Sequence, residues 1–181
     1  MRLVWPTGML LLGVAVAAAA GWLLAASGNG SPHVVYEADV PDWRWSGSSF
    51  RDQYLALLLS ETDLRRARTA LPDHVWRQAG AQMQRWLAEG DTAVVVAYLG
   101  QAPTGGYAIR VQRVEISEDA GANTDTTPSV TVTVARRRPG PGEFVTQAFT
   151  HPLDVVPIGK DRLPAEPFDV RFVDDQGRPL D

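Results

Sequence analysis

The pattern of apolar and polar positions divides the chain into three stretches. The first is almost without charge: Arg2 is the only charged residue before Glu37, and Met9 to Ala26 form 18 consecutive uncharged, mostly apolar residues that Leu3 and Val4 extend past Pro6. A secretory signal core spans about 7–15 residues, whereas a bilayer-crossing helix needs roughly 20. Residues 1–27 therefore read as a signal anchor, with residues 3–26 in the lipid bilayer, or as a signal peptide cleaved after Ala25-Ala26-Ser27. Trp5 and Trp22 stand near its ends, where aromatic rings mark membrane interfaces. With Arg2 on the cytoplasmic side, both readings export everything after Ser27. The expectation is a single-pass cell-membrane protein with an extracytoplasmic C-terminal domain, or a secreted one after cleavage.

The second stretch begins with a tether over residues 28–46, opening on the flexible Gly28 to Pro32. It contains a possible short strand from His33 to Tyr36, and then Trp43 and Trp45, set either at the membrane interface or against the domain. Residues 47–90 carry a helical period. Phe50, Tyr54, Leu57 and Leu58 recur at helical spacing behind Ser48-Ser49, and Leu64, Ala67 and Leu71 do so before Pro72. A third helix, capped by Asp73 and stopped by Gly90, places Val75, Trp76, Ala79, Met83, Trp86 and Leu87 on one face.

From residue 91 the period falls to two. Ala93 to Leu99 is a continuous apolar run, as expected of a strand covered on both faces. Tyr107, Ile109 and Val111 alternate with polar positions, and the phase slips by one before Val114 and Ile116, which predicts a bulge near Gln112-Arg113. A loose polar loop over 119–129 leads to Val130, Val132 and Val134. Arg136 to Gly142 reads as a turn, and Phe144 to Phe149 and Leu153 to Ile158 as strands, the second held to an edge by its prolines. Phe168, Val170 and Phe172 make the last strand. The predicted fold is mainly β: a small antiparallel β-sandwich or barrel over 91–181, preceded by a helical segment and an N-terminal membrane helix.

Composition then narrows the chemistry. The chain has no Cys, which removes disulfides and thiol catalysis. Its three histidines, His33, His74 and His151, have no metal-ligand spacing. A net charge of −4 offers no basic footprint for nucleic acid. No serine-nucleophile or nucleotide-binding motif is present. The expectation is a protein that is not an enzyme and has no cofactor, no metal site and no nucleic-acid partner.

One loop stands apart. Gly100 to Tyr107 (GQAPTGGY) joins two apolar strands; Pro103 fixes one φ angle, Gly105 and Gly106 permit positive φ, and Tyr107 starts the next strand. Such a loop is rigid and loses little entropy on binding. Pro103, Thr104, Gly105, Gly106 and Tyr107 are therefore the candidate partner-binding residues, with Tyr107 packing the loop's base. Arg136, Arg137, Arg138, Pro141 and Gly142 form a candidate secondary contact.

At this loop the chain resembles the PrcB family, small exported proteins named for a subunit of a cell-surface protease complex. The family's G-x-x-P-T-G-G-Y pattern is matched by Gly100, Pro103, Thr104, Gly105, Gly106 and Tyr107. Its second run is matched by Pro141-Gly142, Thr146-Gln147-Ala148, Thr150, Pro152 and Val155-Val156. The resemblance covers roughly residues 92–159 and implies a β domain that associates with or stabilises an exported protease. Many members look like lipoproteins; this chain lacks the Cys, and an uncleaved anchor would replace the lipid. Pro103 to Tyr107 is also similar to the N-P-T-T-G-Y loop of chagasin-like inhibitors of papain-type proteases, with Ala102 and Gly105 departing from it. Arg162-Leu163-Pro164 stands where a further inhibitory loop would be. That resemblance implies the alternative of a protease inhibitor, and a third reading is a structural envelope domain that interacts through its helices.

Overall fold

The computed structural model describes residues 32–117 and 127–180, apart from residues 42, 44, 46, 48 and 49. The expected membrane helix at residues 3–26 lies outside these. Among the described residues no helix is long and apolar enough to cross a membrane.

Two sheets and a pair of helices form three layers. The strand Thr92–Tyr98 (TAVVVAY) lies at their centre, in the middle of a three-stranded antiparallel sheet between Tyr54–Leu58 and Leu153–Gly159. In chain order the strands are β1 His33–Glu37, β2 Tyr54–Leu58, β3 Thr92–Tyr98, β4 Ala108–Ser117, β5 Ser129–Arg137, β6 Leu153–Gly159 and β7 Asp169–Val173. The helices, between β2 and β3, are α1 Glu61–Ala70 and α2 Asp73–Ala88. The second sheet has the order β1-β4-β5-β7.

Alternation sends the side chains of β3 both ways. Val95, Ala97 and, just beyond it, Leu99 meet Val111, Val114, Val130 and Val132 of the larger sheet. Val94, Val96 and Tyr98 meet Val75, Met83 and Leu64 of the helices. Residues 93–100 are therefore all buried, which is why their sequence shows no polar face.

The helices arise from local signals. Ser60 caps α1: its hydroxyl accepts the Asp63 N–H, while the Asp63 carboxylate accepts the N–H groups of Leu59 and Ser60 at 3.1 Å each. This reciprocal capping box satisfies orphan donors of the first turn. Burial pushes the Asp63 carboxyl up, and these hydrogen bonds together with Arg66 outweigh it and bring it down. Pro72 fills the cap position of α2 and Asp73 is its first helical residue, so Asp73 does not cap as expected; it pairs with Arg68 of α1 at 2.7 Å.

Four sequence expectations are corrected. Phe50 to Leu58 is not helical: Tyr54–Leu58 pairs in register with β3, from Tyr54 opposite Tyr98 to Leu58 opposite Val94. Phe144 to Phe149 forms no strand. Arg136 and Arg137 belong to β5 and not to a turn. The sheet is not wholly antiparallel, because β7 runs parallel to β5. The bulge does occur, between Val111 and Arg113. There the Val111 N–H, turned out of the ladder, donates to the Asp154 carboxylate of β6 at 2.9 Å and joins the two sheets.

The topology separates two ends of the sandwich. Ala108 opposite Arg137 marks one end of β4 and β5; Ser117 opposite Ser129 marks the other. The chain enters at the second end, with His33 opposite Ile116. The ten residues of β4 put roughly 30 Å between these ends.

Met83 is fully buried between α2 and the sheet. Met83→Ala should lower unfolding free energy by about 2–5 kcal/mol, read as a lower denaturant midpoint with an unchanged slope.

Candidate functional site

The loop after β3 does not project alone; it is sewn to the segment that precedes β6. Ala102 and Thr150 exchange both backbone hydrogen bonds, at 2.8 and 3.0 Å, and the Thr150 hydroxyl donates to the Thr104 carbonyl at 2.8 Å. Gly105 N–H donates to the Thr146 carbonyl at 2.9 Å. From β5, a guanidinium nitrogen of Arg137 donates to the Gly106 carbonyl at 2.7 Å. Residues 102–107 and 143–150 thus form one double loop at the Ala108/Arg137 end of the sandwich.

The two glycines serve this seam. Gly106 has φ +81°, and a Cβ there would lie 2.8 Å from Val145 Cγ1 and 3.0 Å from Pro139 Cβ. A Cβ on Gly105 would lie 3.2 Å from the Thr146 hydroxyl. The groups that approach them closely are side chains of the chain's own neighbouring segments, together with the Thr146 N–H.

Beneath the loop, Tyr107 stands edge-on to Phe50 at 5.2 Å and to Trp45 at 5.6 Å, and Trp45 lies 5.5 Å from Phe50. The Arg136 guanidinium sits over the Trp45 ring at 5.3 Å. Tyr107 therefore packs the base of the loop, and Trp45 is docked on the domain. Arg136 is only 4% exposed, so of the expected secondary contact this residue is turned inward. Burial pushes its pKa down, from a value high enough that a guanidinium stays charged.

Arg137 is half-buried and Arg138, Pro141 and Gly142 are exposed on the neighbouring turn. Glu143 closes that turn, accepting from Gly140 N–H at 2.8 Å and from Arg137. Those two donors hold its carboxyl below the usual range.

The site's exposed apolar groups are Phe144 and Phe149, at the two ends of the segment whose composition predicts a strand. Phe144 is 103% exposed and Phe149 is 68% exposed, a rare condition for large aromatics. On the loop itself Pro103 is exposed, while Thr104 to Tyr107 are half-buried.

A second group beside the site was invisible in the sequence because its members are distant along the chain. His74, in the first turn of α2, packs its ring edge-on against His151, with centroids 3.9 Å apart. His151 Nδ1 shares a 3.0 Å hydrogen bond with the hydroxyl of buried Tyr98. Burial and the neighbouring His74 both lower the His151 pKa. Among the described residues no cluster of three or more His, Asp or Glu side chains is placed to hold a metal ion.

The fold and this end of it define a β-sandwich domain that presents a braced double loop. Residues 93–158 match the model of the PrcB C-terminal family, from the first buried residue of β3 into β6, so that both halves of the double loop fall inside. The PrcB resemblance is thereby shown for this segment, just over a third of the chain. No curated protein and no solved structure matches the chain. The chagasin-like similarity finds no match, and Arg162 to Pro164 follow the Gly159 end of β6, paired with Thr92, at the opposite end of β3 from the loop.

Two outcomes are expected. Gly106→Val should cost about 1–3 kcal/mol through backbone strain and overpacking, so a loss of binding in it would carry a folding component, visible as a lowered melting temperature. Because the His151 pKa is depressed in the folded state, the unfolded chain takes up the proton first as pH falls below about 6.5. Stability from this group is complete above that pH and declines as pH drops through the folded pKa. The denaturant midpoint should therefore fall between pH 7 and pH 5, and less so in His151→Gln. The lowered carboxylates Asp63 and Asp174 lose their contributions only in more acid solution.

Proposed function

We propose that this chain is an exported, membrane-tethered, non-catalytic domain that binds another exported protein, associating with or stabilising an extracytoplasmic protease. The observation that carries this reading is the double loop: two segments of the family-matched region hydrogen-bonded together, with Phe144 and Phe149 in solvent beside them. Exposed aromatics on a pre-ordered backbone are the usual anchors of a protein interface, since they bury large area at small entropic cost.

The position of the chain's entry supports the same reading. With residues 3–26 in the bilayer and only Ser27 to Pro32 between it and His33, the His33 end of the sandwich is the one tethered near the membrane. The double loop then faces away from the membrane, toward a soluble partner or another ectodomain.

The test is affinity capture from detergent-solubilised membranes with the full chain, tagged at its C-terminus, against the double variant Phe144→Ser/Phe149→Ser. Both substitutions are at exposed positions and should change stability by no more than about 0.5 kcal/mol each. A protease enriched by the native chain and lost with the double variant, at equal melting temperature, is the expected result. Absence of any protease, or equal enrichment by both, would overturn the reading. An activity assay on the captured complex separates a stabilising subunit from an inhibitor.

A further inference from the structure

Beside the double loop, Trp43, Trp45 and the turn after β5 enclose an open cleft of about 340 Å³. One wall is Trp43 and Trp45; the other is Arg137, Arg138, Pro139 and Glu143. Resting on the reading of the domain as a protein-binding module, we propose that this cleft takes a short, extended, acidic segment of the partner protein, with its carboxylates on Arg138 and its flat apolar residues, proline above all, on the two indoles.

One half of the aromatic wall, Trp45, is set before a ligand arrives. Trp45 is packed against Phe50 at 5.5 Å and Tyr107 at 5.6 Å, with the Arg136 guanidinium over its ring. Aromatic-lined grooves of this kind receive extended, proline-bearing segments, because such segments are already ordered and their rings lie flat on an indole.

The opposite wall sets the charge. Glu143 is engaged by Arg137 and by the Gly140 N–H, and Arg137 divides its donors between Glu143 and the Gly106 carbonyl. That pair is neutral and closed. Arg138 is exposed and forms no ion pair among the described residues. It places a positive charge at the rim of an aromatic cleft on a protein whose net charge is −4. Such a local inversion of sign selects acidic segments and repels basic ones. The volume is near the small end of ligand pockets, which suits a few residues of extended chain and no folded surface.

The probe is a fluorescent, amidated peptide Pro-Glu-Pro-Glu-Pro-Glu, titrated by anisotropy against the full chain in detergent. The control is the same peptide with Gln for Glu. The native chain should bind the acidic peptide at least fivefold more tightly than the Gln control, and raising the salt should weaken it. Arg138→Glu should reduce affinity at least fivefold and Trp43→Ala about tenfold, each at an unchanged melting temperature, while Arg138→Lys retains most of the binding. Equal affinity for the Gln control, no binding at millimolar peptide, or indifference to Arg138→Glu would overturn the proposal. The two readings fail separately. A cleft variant that still captures the protease in full yield would overturn the cleft assignment and leave the double-loop reading standing. The Phe144→Ser/Phe149→Ser chain should keep its peptide affinity even where capture is lost.

Discussion

The fold depends on one strand being buried on both faces. β3 supplies Val95, Ala97 and the following Leu99 to the inter-sheet core, and Val94, Val96 and Tyr98 to the core beneath the helices. A seven-residue strand with no solvent face must be covered by two layers, and each layer is then positioned relative to the other through it. The helices, which share no ladder with the larger sheet, are thereby held in a fixed relation to β4 and β5. The Asp154 carboxylate on the Val111 N–H adds a directional bond across the sheets, where hydrophobic packing alone would permit sliding.

That rigidity passes into the double loop. β3 leads directly into Gly100 to Tyr107, and its partner β6 is preceded by residues 143–152, so the two halves of the site emerge from neighbouring strands of one sheet. Arg137, at the end of β5, reaches the Gly106 carbonyl from the other sheet. Both sheets and the Trp45-Phe50-Tyr107 cluster thus brace the loop. A loop braced this way is pre-ordered, so little conformational entropy remains for it to lose.

Much of this was legible along the chain. The α1 and α2 faces followed the helical period, β3 followed its unbroken apolar run, and a one-residue slip of phase located the bulge of β4. The misreadings have physical causes. Tyr54 to Leu58 satisfies apolar spacing at i, i+3 and i+4 as well as a short buried strand, and pairing with β3 decides between them. Phe144 to Phe149 has strand composition, but its Thr146 carbonyl bonds to the Gly105 N–H of the neighbouring loop and its rings stay in solvent. Arg136 was assigned to a solvated turn by its neighbours Arg138 and Pro139, whereas Trp45 offers its guanidinium an aromatic face under cover.

The sequence by itself determined the two helices, the strand β3, the bulge of β4, the family-matched segment and the loop with its paired glycines, because propensity, periodicity and turn chemistry act over a few residues. Only the tertiary structure decided what those glycines are for, which direction β7 runs, and that His74 meets His151 across 77 positions. It also assembled Trp43, Trp45, Arg137 and Arg138 around one cleft. Contacts between residues far apart in the chain are set by how layers close over β3, and no short-range pattern encodes that closure.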